Sequence, residues 1–169
     1  MTNMIAAGDG DDTLLTYALQ TDPDPPRIGG GAGLTLIVSN MARHPITCTK
    51  IVLTIPVGTG ARDLVADTTA LQTTKPFGWN VDQSGGTITF HCEAGAAIGS
   101  DGLSFGILDL EINDQPGTAM LDIDETAARD GGLFQTGSTG IEVAKFPAEF
   151  HLGELTANPV VVRGADRPP

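Results

Sequence analysis

The stretch WNVDQSGGTITFHC, residues 79–92, decides the class of fold. Its two halves alternate apolar and polar side chains, and Ser84-Gly85-Gly86 stands between them. Alternation with period two marks a half-buried strand, and a Gly-Gly turn admits the positive φ angles of a tight hairpin. The pattern puts Ile88, Phe90 and Cys92 on the buried face and sends His91 outward. Trp79, the single tryptophan of the 169 residues, is expected to anchor the core.

The same period runs through the neighbouring segments. LTLIVSN (34–40) places Leu34, Leu36 and Val38 on one face. After a turn through Arg43-His44-Pro45, CTKIVLTI (48–55) sets Ile51, Leu53 and Ile55 opposite Cys48, Lys50 and Thr54. Residues 61–77 are less periodic and suit a short edge strand or a helical turn. In LSFGILDLEIND (103–114) the phase slips from odd positions (Leu103, Phe105, Ile107) to even ones (Leu108, Leu110, Ile112), which predicts a β-bulge near Gly106. TAMLDIDE (118–125) turns Leu121 and Ile123 in and Asp122 and Asp124 out; a polar, Gly-rich stretch (126–140) then precedes IEVAKFPAEF (141–150). Near the N-terminus, 13–19 reads as a first strand or an arm. Residues 20–33, with three prolines and four glycines, exclude a regular element. Gly29–Gly33 precedes a strand instead of a helix, so it reads as a hinge and not a phosphate loop.

These elements predict an all-β fold, an immunoglobulin-like β-sandwich of about seven to nine antiparallel strands with an irregular N-terminal segment. The expected organisation is an acidic arm and Gly/Pro linker over 1–33, the sandwich over 34–150, and a tail or inter-domain junction over 151–169. LTLIVSNMARHPITCTKIVLTIPVG resembles the opening hairpin of bacterial immunoglobulin-like domains, and AEFHLGELTANPVVVRGAD is similar to the junction between such domains in actinobacterial proteins. The resemblance spans roughly 34–164 and implies a fold and a modular habit. It carries over no functional residue. The ending suits either a domain boundary or a tail that packs on a partner.

Nine basic and 21 acidic residues give a net charge of −12. Acidity of that order excludes nucleic acid and anionic membrane surfaces as partners. The charge has two addresses, −5 over residues 1–26 and −7 over 101–130. No apolar run approaches the roughly 20 residues of a membrane span. The start, MTNMIAAGDGDDTLL, has neither the basic region nor the apolar stretch of a signal peptide. Synthesis in the cytosol is expected, with export by a dedicated system left open.

No nucleophile elbow, zinc-protease helix, phosphate loop or dinucleotide fingerprint occurs in the sequence. His44, His91 and His151 are scattered and read as surface histidines. An acid–base pair such as Asp109 and Glu111 lacks anything to position a nucleophile, so no enzyme is expected. Cys48 and Cys92 are too far apart for a CxxC motif; their opposite phases favour free thiols over a disulfide.

Calcium wants six to eight oxygens. Its candidates are Asp9, Asp11 and Asp12 in GDGDD, with Asp109, Glu111, Asp122 and Asp124 on two strands. If those strands were neighbours, four carboxylates would share a face and call for a cation or a basic partner. The plainer reading is a set of solvated strand faces. Two functions follow. One is a non-catalytic structural or protein-interaction module, assembling with itself or a protein partner through arms or an unpaired edge strand. The other is a calcium- or carbohydrate-binding module using loops at one end of the sandwich, with few aromatics to stack on a sugar.

Overall fold

The computed structural model describes residues 13–147 and the backbone of residues 4–6. The described residues are all-β, with no helix among them. Ten strands follow in order: β1 (Met4–Ala6), β2 (Thr16–Asp22), β3 (Gly31–Ser39), β4 (Ile46–Thr54), β5 (Gln72–Thr74), β6 (Asn80–Ser84), β7 (Thr87–Ile98), β8 (Leu103–Glu111), β9 (Gly117–Arg129) and β10 (Gln135–Lys145). They form two antiparallel sheets, ordered β1-β2-β3-β8-β5 and β10-β9-β4-β7-β6. The sheets face each other across one apolar core, a β-sandwich.

Alternation fills that core. Leu34, Leu36 and Val38 of β3 and Phe105 and Ile107 of β8 meet Ile51, Leu53, Ile88, Phe90, Leu121 and Ile123 of the second sheet. Trp79 packs edge-on against Phe105 with centroids 5.0 Å apart, and Phe90 lies 4.6 Å from the same ring. Aromatic geometry of this kind adds to the burial of area. The hairpin that opened the reading forms β6 and β7, with Ser84 opposite Thr87 and Gly85 at φ 59°. Gly86 passes the end of β4 so closely that a Cβ would stand 2.2 Å from the Ile55 carbonyl oxygen. Gly86→Ala is therefore expected to cost about 2 kcal/mol by forcing backbone apart. Urea unfolding checks it, and an unchanged midpoint would mean the approach is soft.

The β-bulge expected near Gly106 is present, at Leu108-Asp109: Leu34 pairs with Ile107 but Ala32 with Leu110, so Leu108 and Asp109 both point outward. Asp109 takes the left-handed conformation there, φ 58°. Gly106 instead makes room for β5, since a Cβ on it would meet the Thr74 hydroxyl at 2.2 Å. Cys48 faces the core, not solvent. Thr49 is an extra residue on β4 relative to β9, which returns Cys48 to the face of Ile51. Of the two readings of 13–19, strand or arm, the strand holds as β2. It runs on through residues 20–22, and β3 begins at Gly31, so both ends of the stretch 20–33 are regular strand and residues 31–33 are not a hinge. The stretch 126–140 is the end of β9, a turn and the start of β10, because Ala127, Gly137 and Thr139 keep the inward phase with small side chains. Residues 61–77 yield only the three-residue edge strand β5.

Candidate functional site

The candidate carboxylates do not converge. Asp109 and Glu111 lie on β8 of the first sheet, Asp122 and Asp124 on β9 of the second, and all four point to solvent. The two pairs thus occupy opposite outer faces. Each strand alternates correctly, but consecutive strands cross between sheets, so the shared face never forms. Asp124 accepts a hydrogen bond from the Ser138 hydroxyl. Asp9, Asp11 and Asp12 lie outside the described residues, as do His151 and the tail over 151–169. Among the described residues no three His, Cys, Asp or Glu side chains gather to hold a metal ion. His91 sits outward and 3.3 Å from Asp82 on the adjacent strand, and His44 is exposed.

Three other features stand out, and two rest on buried polar residues. At one end of the sandwich, the β2–β3 loop, the segment after β4 and the β8–β9 turn surround an open cleft of about 600 Å³. Gly29–Gly31, Thr59, Glu111, Asp114 and Gln115 line it. Asn113 ties this end together: its Nδ2 donates to the carbonyl oxygens of Gly58, Gly60 and Asp63 at 2.9, 2.9 and 3.2 Å. Its Oδ1 accepts from Lys145 Nζ at 2.8 Å and from the Gln115 N–H at 3.1 Å. Lys145 also donates to the Asp63 carbonyl. Burial holds the Lys145 amine below its ordinary value, and the Asp63 charge pulls the other way.

The opposite end carries exposed apolar side chains. The β3–β4 loop holds Met41, 70% exposed, and the β9–β10 turn holds Leu133 and Phe134, 91% and 50% exposed. The Asp130 N–H donates to the Pro45 carbonyl at 2.9 Å, so the two loops sit side by side. A group of large apolar side chains in water is the kind of surface that marks contact with another protein.

The third feature is a polar row in the core. Glu125, only 2% exposed, accepts from the Tyr17 hydroxyl at 2.7 Å and from the backbone N–H groups of Leu14 and Leu15. Beside it on β4 lies Cys48, and on β7 Cys92; both thiols are free and buried. Burial pushes the Cys48 thiol up to about 12 from 9.0, with further push from Glu125 and Cys92. Burial and then the Glu125 charge raise the Tyr17 phenol far above 10.0. Both groups keep their protons in the fold while the unfolded chain loses them. Stability is therefore full below pH 9 and falls above it, by about 1.4 kcal/mol per pH unit for Cys48 and as much again for Tyr17 beyond pH 10. Lys145, with its depressed value, gains stability as pH rises toward 10.5, a partial offset. Urea unfolding at pH 8, 9.5 and 10.5 should show the decline, and Cys48→Ala should remove its first part. A flat profile would contradict the buried, protonated thiol.

Glu125 and Lys145 escaped the reading of the sequence, although both carried a signal. Each continues an inward alternation, Leu121-Ile123-Glu125 and Ile141-Val143-Lys145, and a charge on an apolar face calls for a partner. No family model matches this chain, and no curated protein is significantly similar to it.

Proposed function

We propose that this chain is a non-catalytic structural or protein-interaction module, acting within a homo-oligomer or a larger assembly. The observation that carries the reading is the apolar end formed by Met41, Leu133 and Phe134. An edge strand is the other template: β5 and β6, with three and five residues, are short edges that resist strand addition, whereas β10, with 11 residues, is the long edge of the second sheet and the strand that would serve. An immunoglobulin-like sandwich of bacterial modular proteins is part of the same proposal. Its support is the strand order, in which β2-β3-β8-β5 stands where such domains place A-B-E-D. In the other sheet β10-β9-β4-β7-β6 stands where variable-type domains place G-F-C-C′-C″. The route differs between C and E: after β4 the chain visits the places of D, C″ and C′ in that order, as β5, β6 and β7, the reverse of the variable-type path.

Light scattering across a concentration series tests the function. Self-association is expected, and Met41→Ser, Leu133→Ser and Phe134→Ser together should abolish it without moving the unfolding midpoint. A strict monomer at every concentration that also binds no protein neighbour would overturn the reading. The cleft favours a second reading, a small-ligand module with its site at that end. Its lining has no aromatic ring for a sugar to stack on, whereas Glu111 and Asp114 suit a cation. Heat in a calorimetric titration with Ca2+, lost in Glu111→Gln, would favour it; no heat would remove it.

A further inference from the structure

We infer that Cys48 and Cys92 are a site of reversible oxidation, where an internal disulfide bolts β4 to β7. The inference is independent of the proposed function. The opposite strand phases expected from the sequence would keep the thiols apart. The bulge at Thr49 removes that obstacle, for Cys48 now faces the core, as Cys92 does, and the two strands are hydrogen-bonded neighbours. The pairing between them is interrupted at this level: Lys50 pairs with His91 and Cys48 with Ala96, so residues 92–95 of β7 bow out opposite the single residue Thr49. Gly95, at φ 81°, lies within that bow. Cys92 has no Cα partner on β4, so the pairing is irregular at the level where the two thiols would meet. The thiols are also close enough for a charge on Cys92 to raise the Cys48 proton affinity.

The chemistry needs one oxidant, a small-molecule disulfide such as oxidised glutathione. Cys92, 8% exposed against 0% for Cys48, meets it first. Its thiolate attacks one sulfur, forms a mixed disulfide and expels one glutathione thiolate. Cys48 then gives up its proton and attacks the Cys92 sulfur, and the second glutathione leaves as a thiol. Two protein thiols are oxidised and one external disulfide is reduced, a balanced two-electron exchange. The second attack is the slow one, because burial holds the proton on Cys48.

The test uses the whole chain, incubated with oxidised glutathione, quenched by alkylation in denaturant and weighed. The expected product is about 2 Da lighter than the reduced chain and takes up no alkylating agent; a digest joins the peptides of Cys48 and Cys92, and dithiothreitol reverses it. Its thermal midpoint should rise by about 5–10 °C, since the bond closes a long loop in the unfolded chain. In Cys48→Ser the reaction should stop at a glutathione adduct on Cys92. A wild-type chain that keeps two alkylatable thiols, or that ends as a stable glutathione adduct, would overturn the inference.

Discussion

Glu125→Ala is expected to lower stability by about 3–5 kcal/mol, which corresponds to a melting midpoint roughly 10–15 °C lower. Three donors converge on this carboxylate, the buried Tyr17 hydroxyl and Leu15 N–H and the part-buried Leu14 N–H. Alanine orphans all three, and a buried unsatisfied donor costs about 1–3 kcal/mol. Glu125→Gln keeps one acceptor oxygen and should cost less than half as much. Tyr17→Phe removes a single donor, so about 1.5–2 kcal/mol is expected. Combined with Glu125→Ala it should cost clearly less than the sum, because the two variants break the same bond. An apolar pair does not rescue the site, since Leu14 and Leu15 still present backbone donors to it. Chemical denaturation of the four chains measures this. A loss below about 1 kcal/mol in Glu125→Ala would mean that water replaces the carboxylate, and that the start of β2 is held by β3 alone.

Glu125 also explains the fate of the first acidic deposit. Residues 13–19 were legible as a strand or an arm, and alternation could not decide between them because Leu15, Tyr17 and Leu19 suit either; residues 20–22, grouped with the prolines that follow, were not legible as strand at all. What decides is a contact with β9, more than a hundred residues away, and no local pattern reports a partner at that separation. Hairpins were legible for the opposite reason. Ser84-Gly85-Gly86 joins strands adjacent in the chain, so turn chemistry and phase agree within one short window. The Gly106 region stands between these cases. A phase slip from Ile107 to Leu110 requires one extra residue, and the sequence supplies it, but either Gly106 or Leu108-Asp109 satisfies the count. Glycine is the natural guess for a bulge, yet here it is claimed by the close approach of Thr74, and Asp109 carries the positive φ instead.

The site was less legible than the fold because faces were read strand by strand. Asp109 with Glu111 and Asp122 with Asp124 were correctly paired along their strands. Their convergence depended on β8 and β9 being sheet neighbours, and the short turn between them made that the natural assumption. Crossing between sheets at that turn separates the pairs, and only the three-dimensional path carries the information. The phase of Cys48 failed in the same way, through one bulged residue.

The other large effect belongs to Asn113. Asn113→Ala is expected to destabilise by about 3–4 kcal/mol, more than Lys145→Met, and the order of the two is the point of the experiment. Asn113 satisfies three carbonyls and one ammonium at once, and it holds the segment after β4 against the β8–β9 turn. Its loss leaves the buried Lys145 charge with carbonyl partners alone. Lys145→Met, by contrast, gives up those hydrogen bonds but also relieves the cost of burying the ammonium, the cost that depresses its pKa. The apolar stem remains to fill the space, so about 1–2 kcal/mol is expected. In the Asn113→Ala background the lysine is a liability, and adding Lys145→Met should then be neutral or slightly stabilising. Hydrogen exchange gives a second readout: the Asp63 and Leu64 amides, bonded to Gly60 and Pro56, should exchange faster in Asn113→Ala than in Lys145→Met. Equal losses in the two single variants, with an additive double, would mean that Asn113 and Lys145 act separately. The cleft end would then be held by backbone pairing such as Val65 with Ile112.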